Sequence, residues 1–481
     1  MKTSKTGKTR KISKTGKISK TDKFSRAGKI ISLLAAMFLL NTACSSTKST
    51  EIPPDVTGAS IDRYPAAAET KRVKLASFPA YNKYSSEPLE LDLRNRDITS
   101  LDLSDQYDAL LRADFDTRTI WPYSLPESVN PKEIMETGKN PGLGIRQLHE
   151  EGVTGKGVGI AVIASPPLVD HGEYAGRIKL YREIELEEGN PVTEKSPEEA
   201  DRTAGGNKTD NSKTAADTAS SSASYEGTAI ASIIAGRTTG VAPGAVLYYF
   251  SPVSDMSELD NSGSDNPESD NSKDRLSCTI KALDEIRDLN NKLTSEDKIR
   301  VVVIEDDLLV GTFMPEDSEK LQSSLEHVLD SGIPILSGSM ITGRSQGYLA
   351  RSLGRSPLSA PDSLKSYGAG YEWEMQFLTY NDDFETVKNG CFLVPGDSRT
   401  TASPTGVQDY VFHRVGSADF ASAYVAGLYA LACQANPTVT PEDFMKAAMD
   451  TGREKAVEKY GLKRTMKYIL DPLKLIKRIG A

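Results

Sequence analysis

Near its N-terminus the chain lacks a full membrane span. The apolar run from Ile30 to Leu40 is eleven residues long, and a helix needs about 20 to cross a bilayer. It suits a signal-peptide core instead, behind a basic repeat that reads SKTGKTRKISKTGKISKTDK. Positive charge is missing from the rest of the chain. Residues 1–43 hold eleven Lys and Arg against one acid, Asp22, while the whole chain carries −9, which leaves about −19 for the remainder. A body that acidic excludes nucleic acid as a partner, because phosphate contacts need a basic surface. Tryptophan is limited to Trp121 and Trp373, both read as packing residues. Histidine is limited to His149, His171, His327 and His413.

The apolar fraction of 38% and charged fraction of 26% fit a soluble globular protein with polar insertions. After the apolar run comes Asn41-Thr42-Ala43-Cys44-Ser45-Ser46. This resembles the lipobox of bacterial lipoproteins, with Asn41 where that motif prefers Leu and Leu40 one place earlier. The resemblance implies diacylation of Cys44 and a lipid anchor on the extracytoplasmic face of the cell membrane. Cys278, Cys391 and Cys433 then remain, an odd number that sets up no disulfide framework. Cys278 and Cys433 fall on apolar helix faces and read as buried thiols.

Residues 44–88 are rich in Ser, Thr, Pro and Lys and read as a flexible tether. Leu91-Asp92-Leu93 and Leu101-Asp102-Leu103 repeat only once, too few copies for a solenoid, so 89–140 reads as a small N-terminal extension on the core. From 141 to 481 the texture is α/β. Val158–Ile163, Ala245–Phe250, Val301–Ile304 and Ile333–Leu336 are continuous apolar runs, as in parallel strands buried on both faces. Thr228–Ala235, Leu276–Leu289 and Lys320–Leu329 are helical in pattern. The alternation predicts a doubly wound parallel sheet with helices on both faces. Residues 191–223 and 254–274 have almost no large apolar side chains and read as disordered insertions. Thr440-Pro441-Glu442-Asp443 predicts a helix N-terminus, stopped by Gly452.

Three segments carry a family resemblance. The first runs TGKGVGIAVIASPPLVDHGEYAGRI from Thr154, with His171 seven residues beyond Ala164. The second is Glu226-Gly227-Thr228-Ala229-Ile230-Ala231, followed by Gly240-Val241-Ala242-Pro243-Gly244-Ala245. The third is Ser417-Ala418-Asp419-Phe420-Ala421-Ser422-Ala423-Tyr424-Val425-Ala426-Gly427, preceded by Val394-Pro395-Gly396. In this order they resemble the subtilase (subtilisin-like, peptidase S8) family over roughly residues 142–452. The resemblance implies a subtilisin-like fold and places Ala164, Glu226 and Asp419 at the Asp, His and Ser of the catalytic triad. It places Ser339, in Ser337-Gly338-Ser339, at the oxyanion Asn, and it makes His171 structural.

A serine hydrolase needs a hydroxyl nucleophile, an imidazole and an orienting carboxylate. Ala, Glu and Asp supply none of these in its place, so the resemblance implies a pseudoprotease. Ser417 reaches the nucleophile position only if the helix register slips by two, and His413 lies six residues before Asp419. The strand that receives substrate in the family ends here in Glu305-Asp306-Asp307. With Glu226 and Asp419 expected as neighbours, the cleft is acidic, and two adjacent carboxylates do not both stay charged without a cation or water. Three readings stay open for it: degeneration without a ligand, binding of a divalent cation such as Ca²⁺ or of a basic peptide, and a carboxylate-based hydrolase.

Overall fold

The computed structural model describes residues 55–80, 91–185, 221–252, 270–309, 315–338, 347–348, 350–379 and 391–481. The signal-like segment, Cys44, Ser339 and most of both polar insertions lie outside the described residues. The centre is a seven-stranded sheet in the spatial order Ser60–Ile61, Ile178–Ile184, Val246–Pro252, Gly159–Ile163, Ile299–Ile304, Ile335–Leu336, Gly347–Tyr348. Every neighbouring pair runs parallel.

Alternation of side chains along each strand sends successive residues to opposite faces. Ile160 and Val162 join one apolar cluster with the helices Tyr225–Ala235 and Ala418–Ala435. Ala161 and Ile163 join another with the helices Asp270–Lys292 and Pro315–Asp330. The sheet is therefore covered on both faces, which is why its strands read as unbroken apolar runs. The α/β, doubly wound parallel architecture expected from the sequence is present.

Three local differences have physical causes. The Asp270–Lys292 helix takes in residues 270–274, which the sequence places at the end of a disordered insertion. Once Leu276, Cys278, Leu283 and Ile286 anchor a turn, adding residues to a helix end is nearly free of nucleation cost. Ser222, expected in the other insertion, bridges to Ala66. Residues 55–80, expected within a flexible tether, lie on the body. Ser60–Ile61 pairs with Leu180 and Tyr181, Arg63 bonds Glu183, and Arg177 sits 3.2 Å from Asp55. This segment covers what is otherwise an open sheet edge with unpaired backbone groups.

The extension has its own apolar cluster of Leu91, Leu93, Ile98, Leu103, Leu110, Phe115 and Ile134, shared with Phe412 of the body. Phe115–Asp116 pairs antiparallel with Val411 and Phe412. Trp121 packs edge-on to Phe115 at 5.2 Å, and buried Trp373 donates its indole N–H to the Ser352 carbonyl at 2.7 Å. Among the described residues, no helix is long and apolar enough to cross a membrane.

The Pro441–Thr451 helix opens with a capping box in which Thr440 accepts from the Asp443 amide at 3.1 Å and Asp443 accepts from Thr440. Thr440→Ala is expected to lower stability by about 1 kcal/mol, read as a shift in the urea midpoint with unchanged slope.

Candidate functional site: a carboxyl-rich crevice

Three strands deliver their last residues to one crevice. Gly159–Ile163 runs into Ala164 and Ser165, Ile299–Ile304 into Glu305-Asp306-Asp307, and Ile335–Leu336 into Ser337 and Gly338. Gly159–Ile163 is also where the sheet order reverses, so its carboxyl end opens the crevice that such sheets use for ligands. Two helices start there. Tyr225–Ala235 is capped by Ser224 and carries Glu226 in its first turn, and Ala418–Ala435 is capped by Ser417 and carries Asp419. Glycine permits the close fit. A Cβ on Gly227 would lie 2.0 Å from the Ser165 carbonyl oxygen, and one on Gly338 2.4 Å from the Ala418 Cβ.

Ala164, Glu226 and Asp419, the positions singled out in the sequence, lie at the ends of these strands and helices. Ala164 is fully buried and offers no polar group. Ser417 Oγ donates to Glu226 Oε1 at 2.7 Å. Asp419, 6% exposed, accepts at Oδ1 from the Asp306 amide at 2.9 Å. Asp306 in turn accepts from Ser337 Oγ at 3.3 Å, and Glu305 accepts from both the amide and the hydroxyl of Ser165. Tyr249 fixes this corner by donating to the Ser165 carbonyl at 2.8 Å.

Burial and mutual repulsion dominate the electrostatics. Burial pushes Glu226 up to about 7, reinforced by Glu305, Asp307 and Glu372 and opposed by the Ser417 hydrogen bond. Burial, then the Glu226, Glu305 and Asp306 charges, holds the Asp419 carboxyl well above the carboxylate range. Glu305 is raised by burial despite the two bonds from Ser165. Glu226 acts on Asp419 through repulsion, while Ser417, the cap of the helix that carries Asp419, bonds Glu226.

Two further crevice acids, Glu372 and Asp397, are not marked by the sequence motifs above. Glu372, at the start of the Tyr371–Thr379 helix, is pushed up to about 7 by burial and then by Asp397. Asp397 is pushed up to about 6 by burial, with Arg414 opposing. Asp397 directly follows the matched Val394-Pro395-Gly396, so extending that match by one residue finds it. No local pattern marks Glu372. Ser417 as the partner of Glu226 is legible only as an N-cap residue type.

The histidines serve elsewhere. His171 Nε2 bonds the Asp409 carbonyl at 2.8 Å while Nδ1 accepts from the Glu173 amide, which fixes a neutral ring. His413 lies edge-on to the Phe420 ring at 5.0 Å, bonds Thr401, and is driven down to about 3 by burial. His149 bonds the Val241 carbonyl, and His327 is exposed. Cys278, Cys391 and Cys433 are buried and free. Among the described residues, no group of three or more His, Cys, Asp or Glu is arranged to hold a metal ion.

Fold and site together define an α/β protein with a carboxyl-rich crevice at the carboxyl ends of its central parallel strands. No family model matches the chain, and no curated protein matches it. Among solved structures, a cold-adapted subtilisin-like serine proteinase is similar at 15% identity, over 62% of this chain and 83% of that one, with a TM-score of 0.33.

The pH dependence of stability follows from the raised carboxyls. In the fold the ionised form of Glu226 is the disfavoured one. Its stabilising contribution is full below about 4.5 and is lost as pH rises through about 7. Between pH 5 and pH 8 the raised carboxyls lose their stabilising contribution, while His413, driven down to about 3 by burial, works in the opposite sense over the lower part of that range. Glu226→Gln should reduce that loss without abolishing it, because Glu372 and Asp397 shift in the same direction. Urea unfolding at the two pH values measures both.

Proposed function

We propose that this chain is a subtilisin-like protein without serine-peptidase catalysis, exported and lipid-anchored through Cys44, whose crevice binds a basic peptide or protein segment. The observation that carries the reading is the convergence of Glu226, Glu305 and Asp419 on the crevice, each with its pKa raised, beside a buried Ala164. Acyl transfer needs donors aimed at a developing oxyanion, and the side chains described at the ends of these strands and helices are largely carboxyls. Among the described residues, no histidine hydrogen-bonds Ser417, Glu226 or Asp419. A Lys or Arg side chain entering the crevice reverses the repulsion that raises these acids.

Such binding releases protons and tightens as pH rises. A lysine-containing peptide is expected to bind at least about tenfold more weakly to Glu226→Gln/Asp419→Asn than to the native protein. Its affinity for the native protein should be higher at pH 8 than at pH 5.5. Fluorescence anisotropy across a set of basic and acidic peptides measures this, and indifference to peptide charge would refute the reading.

The Ser417–Glu226 bond of 2.7 Å supports a second reading. In it Glu226, with its pKa near neutrality, takes the Ser417 proton as a general base and the chain is a hydrolase. Fluorophosphonate labelling of residues 45–481 separates the two. The pseudoprotease reading expects an unlabelled native protein and a labelled Ala164→Asp/Glu226→His/Asp419→Ser variant. Labelling of native protein at Ser417 would establish the hydrolase.

A further inference from the structure

The Ser417–Glu226 hydrogen bond joins the first turns of two helices, and both helix starts are gripped by one piece of the N-terminal extension. On one side, the Arg94 guanidinium lies 4.8 Å from the centre of the Tyr225 ring. Tyr225 is the first residue of the helix that carries Glu226. Arg94 is itself held in a fixed fork, donating from Nε and Nη2 to the two carboxylate oxygens of Asp92, each at 2.9 Å.

On the other side, the Asp114 carboxylate accepts from the Arg414 amide at 2.7 Å, three residues before Ser417. From Arg414 the chain is tied down further. Arg414 Nη1 lies 3.8 Å from Asp397, and the Gly416 amide donates to Asp397 at 3.1 Å. The two grips do not move independently. Asp92 and Asp114 face each other in a β-bridge, the Leu93 amide donates to the Asp114 carbonyl at 2.8 Å, and the Asp114 amide donates to the Leu91 carbonyl at 3.0 Å. Asp114 is 3% exposed and one of its oxygens has no hydrogen-bond partner, an arrangement that stability alone does not favour.

We propose that the extension is a clamp on the crevice and that Arg94, stacked on Tyr225, is a positioning residue for the Ser417–Glu226 contact. The charges that press hardest on Glu226 are Glu305, Asp307 and Glu372, not Arg94. An effect of Arg94 on Glu226 therefore travels through the placement of the helix start. The clamp acts on this geometry whichever ligand the crevice takes.

The test is a carboxyl ¹³C NMR titration of Glu226 in the full-length chain labelled at glutamate, with the signal assigned by Glu226→Gln. The Ser417 bond holds the Glu226 midpoint down, so loosening it raises that midpoint. Arg94→Met and Tyr225→Leu are each expected to raise it by about 0.5 pH unit or more, while Arg94→Lys and Tyr225→Phe, which keep a cation over a ring, stay close to the native value. In a Ser417→Ala background, Arg94→Met should add no further shift, since the bond it acts through is gone. A folded Arg94→Met protein with an unmoved midpoint, or a shift that adds in full to that of Ser417→Ala, overturns the proposal. Should Arg94→Met not fold, the Tyr225→Leu and Tyr225→Phe pair decides the question from the helix side: a raised midpoint in the first alone supports the clamp, and an unmoved midpoint in both overturns it.

Discussion

A parallel sheet buried on both faces has nowhere to place polar chemistry except at the ends of its strands, and most of this molecule follows from that restriction. Ile160, Val162, Val301 and Val303 belong to one side and Ala161, Ile163, Val302 and Ile304 to the other. Every residue of Gly159–Ile163 is committed to packing. Polar groups first become possible at Ala164-Ser165 and Glu305-Asp306-Asp307, where helix starts close in from one side. The close approach demanded at Gly227 and Gly338 packs these elements tightly, and Glu305 and Asp419 are buried. Charge placed there is expensive, and the raised pKa values of Glu226, Glu305 and Asp419 express that expense directly.

Much of the fold is legible in the sequence because both-face burial writes continuous apolar runs into it, and helices between them bear the 3.6-residue pattern. The boundaries move where tertiary contact outweighs composition. Ser60–Ile61 is poor in apolar residues around it, yet the exposed backbone of Ile178–Ile184 gives it a place to pair. Residues 270–274 look like the insertion before them but are carried into helix by Leu276 and its neighbours.

The crevice is legible in part for a different reason. Glu226 and Asp419 are located by the resemblance of their segments to subtilase motifs, and Glu305 by its place at the end of an apolar strand run. Glu372 comes from a helix whose relation to the strands is set only by packing, and no spacing rule reaches it. The role of Ser417 is hidden because a serine at that place already has a sufficient explanation as a cap, and its second bond to Glu226 depends on where another helix begins. His413 illustrates the converse. Its closeness in sequence to Asp419 suggests a place in the crevice, but strand pairing of Tyr410–His413 turns it toward Thr401 and the Phe420 ring.

The short strand Ser60–Ile61 also has a mechanical meaning. It enters at the sheet edge parallel to Ile178–Ile184, with Asp55 against Arg177 just before it and Arg63 against Glu183 just after it. Tension applied from the N-terminal side meets these contacts before it reaches the sheet. A strand of two residues holds by fewer backbone bonds than the five-residue Gly159–Ile163 at the sheet centre, so under such a load the edge is the weaker link.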